Sequence, residues 1–195
     1  MARVTPRTAA AILGVTLVAS VGGGYAWSRI NGTDDPVVEV ETAGTYDQPS
    51  GGIPTAPKVA GDPLPAATLQ DMSGNDIEIS SLVGKPMVIN VWFSTCEPCK
   101  KELRDFAAVH AELGDQVRFI GIDPQDTASK ASSFAAEHGV KYELYLDDGS
   151  FSASLKLAGY PSTLFVGADG HIVELHTGAF TADTLRAAIT KDLLS

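Results

Sequence analysis

Cys96 and Cys99 are the only two cysteines in a chain of 195 residues, and they stand two residues apart in Cys96-Glu97-Pro98-Cys99. That spacing brings two sulfurs together across one helical turn, so the pair can alternate between dithiol and disulfide without large backbone movement. The apolar run Met87 to Phe93 precedes the pair, and Lys100, Lys101, Glu102 and Leu103 follow it. A strand ending near Ser94 and Thr95 and a helix beginning at the cysteines place Cys96 at the helix start, where free backbone N–H groups and the helix dipole favour a thiolate. Cys96 is therefore the expected attacking thiol. Cys99, one turn further in, is the expected resolving thiol. Pro98 suits the first turn, where a missing N–H costs little.

Two other uses of the pair are disfavoured by the residues. A bridge over so short a loop constrains the unfolded chain little and makes a poor structural staple. A zinc site needs about four ligands, yet there is no second cysteine pair, and His110, the nearest histidine, is eleven positions from Cys99. His110 itself reads as a partly buried helix residue.

The elements around the pair read as one α/β domain. Ala67 to Leu69, a turn at Ser73-Gly74-Asn75, then Ile77 and Ile79 suggest an edge hairpin. Met87 to Phe93 reads as a strand buried on both faces. Leu103, Phe106, Ala107, His110 and Leu113 repeat with helical period up to Gly114, which sits at the C-cap position. Val117 to Ile122 is a second strand, Thr127 to His138 a helix, Tyr142 to Tyr145 a strand and Ser150 to Leu157 a helix. Ser162 to Val166 and His171 to Thr177 form a hairpin over Ala168-Asp169-Gly170, and Thr181 caps a last helix bearing Leu185, Ile189 and Leu193.

The first sixty residues carry a different signal. Thr8 to Trp27 runs twenty residues without a charge behind Arg3 and Arg7, a length that spans a bilayer. The arginines before it, and Asp34, Asp35, Glu39 and Glu41 after it, predict a cytoplasmic N-terminus and an exported C-terminal part. The length, with Tyr25 and Trp27 suited to an interface, favours a retained anchor within residues 1–30; a signal peptide cleaved near Gly24-Tyr25-Ala26 is the alternative. Residues 31–62, rich in Gly and Pro with scattered acids, read as a flexible tether to a domain spanning 63–195. A net charge of −10 excludes a nucleic-acid partner, since phosphate binding needs a basic footprint.

Val91-Trp92-Phe93-Ser94-Thr95-Cys96-Glu97-Pro98-Cys99-Lys100-Lys101-Glu102 resembles the active-site segment of the thioredoxin superfamily, and within it the membrane-anchored TlpA-like and ResA-like proteins. Gly159-Tyr160-Pro161-Ser162-Thr163 adds to the likeness, because the family places a cis-proline opposite the redox pair; Pro161 is the matching position. The resemblance implies a thioredoxin-like fold, a central mixed β-sheet flanked by helices with an added N-terminal hairpin. It implies a thiol-disulfide oxidoreductase without metal or organic cofactor. Tyr160 would then turn its backbone toward a client, with Trp92 and Phe93 packed around the site.

Two departures from ordinary thioredoxin matter. Asn90 stands where thioredoxins carry a buried aspartate, so proton handling passes to another acid; Asp126 falls near the position where ResA-like proteins place one facing the cysteines. Glu97 brings a carboxylate beside Cys96, which opposes thiolate formation and argues against a strong oxidant. The resemblance implies client protein thiols, such as apocytochrome c or a copper-site assembly protein, and a membrane electron donor of the CcdA type. A disulfide-forming oxidant is the alternative direction on this fold. A peroxiredoxin-like peroxidase would need Thr and Pro where the chain has Phe93 and Ile89, a Sco-type copper relay would want a wider cysteine spacing and a well-placed histidine, and a copper-binding or client-holding module is poorly served by Met72 and Met87.

Overall fold

A computed structural model describes residues 59–195. The proposed anchor, and residues 31–58 of the tether, lie outside the described residues. Among the described residues no helix is long and apolar enough to cross a membrane. The last residues read as tether, Val59 to Asp62, join the fold. Gly61 donates its N–H to Ile172 O at 2.7 Å, Asp62 O accepts from Ile172 at 2.9 Å, and Val59 packs on the core.

The strands are β1 (Thr68–Asp71), β2 (Asp76–Glu78), β3 (Met87–Val91), β4 (Arg118–Asp123), β5 (Glu143–Leu146), β6 (Ser162–Val166) and β7 (Ile172–Thr177). The helices are α1 (Glu97–Leu113), α2 (Ala128–Glu137), α3 (Ser150–Ser154) and α4 (Ala182–Leu193), with a 3-10 turn at Ile79–Leu82. One sheet runs in the order β2-β1-β5-β4-β3-β6-β7. β3, β4 and β5 are parallel; β1 pairs antiparallel with β5 and β2, as β6 does with β3 and β7.

Because side chains alternate along a strand, β3 divides the core by parity. Met87, Ile89 and Val91 enter a cluster with Leu69, Ile120, Ile122, Phe151 and Leu164, on the face closed by α3 and the 3-10 turn. Val88 faces the other way, onto Phe106 and Val109 of α1 and Leu185 and Ile189 of α4. Trp92, on that same side, packs with the two cysteines, Leu103, and Ala131 and Ala135 of α2. All five residues of β3 and all five of β6 are buried, and the only polar side chains in the two strands are Asn90, Ser162 and Thr163.

Local signals set the helix ends. Thr127 caps α2 through Lys130 N–H, and Thr181 and Thr184 form a reciprocal capping box at α4. Gly114 does end α1, but in right-handed helical conformation, not the left-handed cap that glycine usually supplies. Glycine is needed there for space, since a Cβ would lie 2.7 Å from His110 O. His110 stands edge-on to Phe119 and Tyr142, with ring centroids 5.3 and 5.4 Å away, and burial lowers its pKa.

Candidate active site

β3 delivers the chain to the start of α1, and the redox pair forms the first turn of that helix. Cys96 is the N-cap residue, and its sulfur accepts the Cys99 N–H at 3.3 Å. The two sulfurs are joined in a disulfide with Cα atoms 5.3 Å apart. Pro98 occupies the first turn, where it displaces no helical hydrogen bond. The cysteines differ in access: Cys96 is 7% exposed and Cys99 0%. A client sulfur therefore meets Cys96 first, and Cys99 acts from behind it.

Glu97 projects into solvent and is bound by Lys100, whose ammonium holds its carboxyl below the ordinary range. Glu97 therefore opposes a thiolate at Cys96 less than a lone carboxylate would, because Lys100 offsets its charge. Trp92 is fully buried and lies behind the pair, its ring 5.7 Å from Phe134. Phe93 meets Tyr160 edge-to-face at 5.2 Å, and the Tyr160–Pro161 peptide is cis. This pair joins the cysteine loop to the loop before β6.

Asp126 is held beside the cysteine loop. Its carboxylate accepts Ser94 N–H at 2.6 Å and Ser94 Oγ–H at 3.0 Å, and pairs with Lys130 at 2.6 Å. Burial opposes its charge, but Lys130 and the Ser94 donors outweigh burial and hold its carboxyl low. Asp126 is an anchor for the loop carrying Cys96. Asp123 lies beneath it with its carboxyl raised by burial.

The acid that meets Asn90 is Glu102, which the sequence places in the helix and at the end of the active-site segment without giving it a role. It is 0% exposed and lies on α1 one turn beyond Cys99. Asn90 Nδ2 donates to its Oε1 at 2.8 Å and Phe180 N–H to its Oε2 at 3.1 Å. Burial pushes its carboxyl up to about 7 against those two donors. The available signal was a glutamate at helical spacing among Cys99, Leu103 and Phe106, on the face that must be buried.

A buried dithiol-capable pair at a helix start, a cis-proline loop packed against it and a carboxyl beneath it form one constellation. The Redoxin family model matches residues 59–193, which hold all of these features. The chain belongs to the redoxin family. This redoxin is similar to the thiol-disulfide oxidoreductase ResA of Halalkalibacterium halodurans, 27% identical over 63% of this chain and 70% of the relative. It is also similar to the thiol:disulfide interchange protein DsbE of Haemophilus influenzae, 32% identical over 62% of this chain and 67% of that one. Its fold matches a secreted Mycobacterium tuberculosis disulfide oxidoreductase homologous to E. coli DsbE, with a TM-score of 0.58 and 26% identity, covering 64% of this chain and 95% of that one. The redoxin is a thiol-disulfide oxidoreductase of the ResA and DsbE type, with Cys96 and Cys99 as its disulfide-capable pair.

Proposed function

We infer that this redoxin is an extracytoplasmic reductant of client disulfides, held at the membrane by its N-terminal segment. The reduced Cys96 thiolate attacks one sulfur of a client disulfide, breaking that bond and releasing the other client sulfur as a thiolate. Cys99 gives its proton to the Glu102 carboxylate, and the resulting thiolate attacks Cys96 Sγ. The Cys96–Cys99 disulfide forms, the second client sulfur leaves, and two electrons have passed to the client. A membrane thiol donor of the CcdA type returns the electrons. Apocytochrome c cysteines, or those of a copper-site assembly protein, are clients in keeping with the ResA-like and TlpA-like resemblance. The chemistry resides in the sulfur pair and calls on no metal or organic cofactor.

The observation that carries this reading is Glu102, a buried carboxyl one turn from the fully buried Cys99. A general base works best with a pKa near the working pH. The anchor rests on the uncharged run Thr8 to Trp27 behind Arg3 and Arg7.

The test is the equilibrium potential of the pair against glutathione and dithiothreitol, with trapping by Cys99→Ser. A potential near that of thioredoxin, about −270 mV, and a mixed disulfide through Cys96 support the reading. A potential near about −120 mV, as in the oxidant DsbA, reverses the direction of electron flow. Stoichiometric Cu(I) binding without thiol exchange would replace the reading altogether.

A further inference from the structure

Asn90 sits in the middle of β3, fully buried, in register with Gly121 of β4 and Thr163 of β6. Its Nδ2 donates to Glu102 Oε1 at 2.8 Å and lies 3.4 Å from Thr163 Oγ1. The other end of the same amide, Oδ1, is buried and meets no donor among the described residues. A buried carbonyl oxygen without a donor is costly, so an orphan of this kind calls for an explanation.

Glu102 supplies one. As a carboxylate it only accepts, and Asn90 can satisfy it only through Nδ2. As a neutral acid it gains an O–H donor, and an acid beside a primary amide then presents complementary edges: amide N–H to acid carbonyl, acid O–H to amide carbonyl. We propose that Asn90 is a positioning residue matched to both protonation states of Glu102, with Nδ2 holding the carboxylate and Oδ1 accepting the hydroxyl of the acid. An aspartate here would set a second negative charge against Glu102, and a leucine would leave both forms short of a partner.

The other groups around Glu102 do not fill this role equally. Phe180 N–H can only donate. Asp105, further along α1, acts on Glu102 through its charge alone, and Tyr142 is the remaining titratable group whose buried hydroxyl lacks a partner. Cys99 supplies the proton in the reaction proposed above, and Thr163 Oγ1 already faces the amide nitrogen of Asn90.

The inference rests on Glu102 as the proton acceptor, and the test separates the two. Glu102→Gln puts an N–H where the neutral acid has its O–H. In the oxidised full-length chain of this variant, the expected result is a through-hydrogen-bond scalar coupling from the introduced side-chain amide nitrogen to Asn90 Cγ. Its absence, with the reverse coupling from Asn90 Nδ2 to the introduced amide carbonyl carbon intact, overturns the proposal. A second variant reads the same contact through pH: Asn90→Leu should lower the melting temperature at pH 8, where the carboxylate loses its donor, and also at pH 5, where Glu102 is neutral and its hydroxyl loses its acceptor. A loss confined to pH 8, or one reproduced by Tyr142→Phe and not by Asn90→Leu, overturns it. If the coupling is present while the pH profile of thiol exchange is unchanged in Glu102→Gln, Asn90 keeps this role and Glu102 loses that of proton acceptor.

Discussion

Glu102 and Phe180 are 78 positions apart in the chain and meet through one bond, the Phe180 N–H donating to Oε2 at 3.1 Å. This ties α1 to the segment between β7 and α4, while Asn90 ties the other carboxylate oxygen to β3. A carboxyl held at both oxygens in a closed core is a built feature of the site. It also gives the fold a pH dependence that most acids would not.

The carboxyl of Glu102 is raised from 4.5 to about 7, so between those values the folded chain keeps a proton that the unfolded chain has released. The contribution of Glu102 to stability is therefore full below pH 4.5 and is lost as pH rises through 7, by about 3 kcal/mol if the whole shift acts on folding. Asp123, also raised by burial, adds a loss of the same sign. Denaturant unfolding of the oxidised protein at pH 5 and pH 8 should show this loss in the wild type and a smaller one in Glu102→Gln. Equal losses in the two proteins would mean that Glu102 titrates normally.

Asp126 should matter through the loop. Removing its carboxylate leaves Ser94 N–H and Oγ without their acceptor, 2.6 and 3.0 Å away, in a pocket where the Asp126 side chain is only 5% exposed. Asp126→Ala is expected to cost about 1–3 kcal/mol, and Ser94→Ala, which loses one neutral donor, about 1 kcal/mol. Chemical denaturation gives both numbers. Thiol exchange at Cys96 should slow in Asp126→Ala and stay near wild type in Ser94→Ala, since Ser94→Ala keeps the backbone bond that holds the loop.

What could be read from the sequence follows from how local each signal is. The redox pair, the Pro98 first turn, the buried strand Met87–Val91 and the Thr181 cap are each specified within a few residues, and each stands close to where its pattern places it. The Tyr160–Pro161 loop was legible through family likeness, not through local propensity. Glu102 was given no role because its partners come from β3 and from a segment 78 positions away, so its place on the buried face of the helix was legible but what it meets there was not. Asp126 was singled out through the ResA-like resemblance, but its contact with Ser94 spans 32 positions, and only the folded chain shows that it anchors the loop.

Gly121 offers a test of the packing behind the cysteines. A Cβ at this position would lie 2.7 Å from Leu144 Cδ2 and 2.8 Å from Trp92 Nε1, both too close to stand. Gly121→Ala must push the indole or the Leu144 side chain aside, at about 1–3 kcal/mol for overpacking. Because Trp92 packs directly with Cys96 and Cys99, the displacement should also change tryptophan emission and its response to reduction. Unchanged emission at wild-type stability would show that the β4 backbone yields instead.

The Glu97 and Lys100 pair should tune the site only weakly. Glu97 is 75% exposed at its side chain and Lys100 37%, so their attraction is screened by water and contributes little to folding. Glu97→Gln is expected to leave the denaturation midpoint close to that of the wild type. It leaves Lys100 unpaired near the Cys96 end of α1, where an unneutralised cation favours a thiolate. Alkylation of the reduced protein by iodoacetamide should therefore quicken, by no more than about fivefold, since water screens charges a few ångströms apart. Lys100→Ala should slow it by a similar factor, and added salt should shrink both effects. A tenfold or larger change that resists salt would show that Glu97 acts on Cys96 through a desolvated contact, and the potential of the pair would then have to be measured in the same variants.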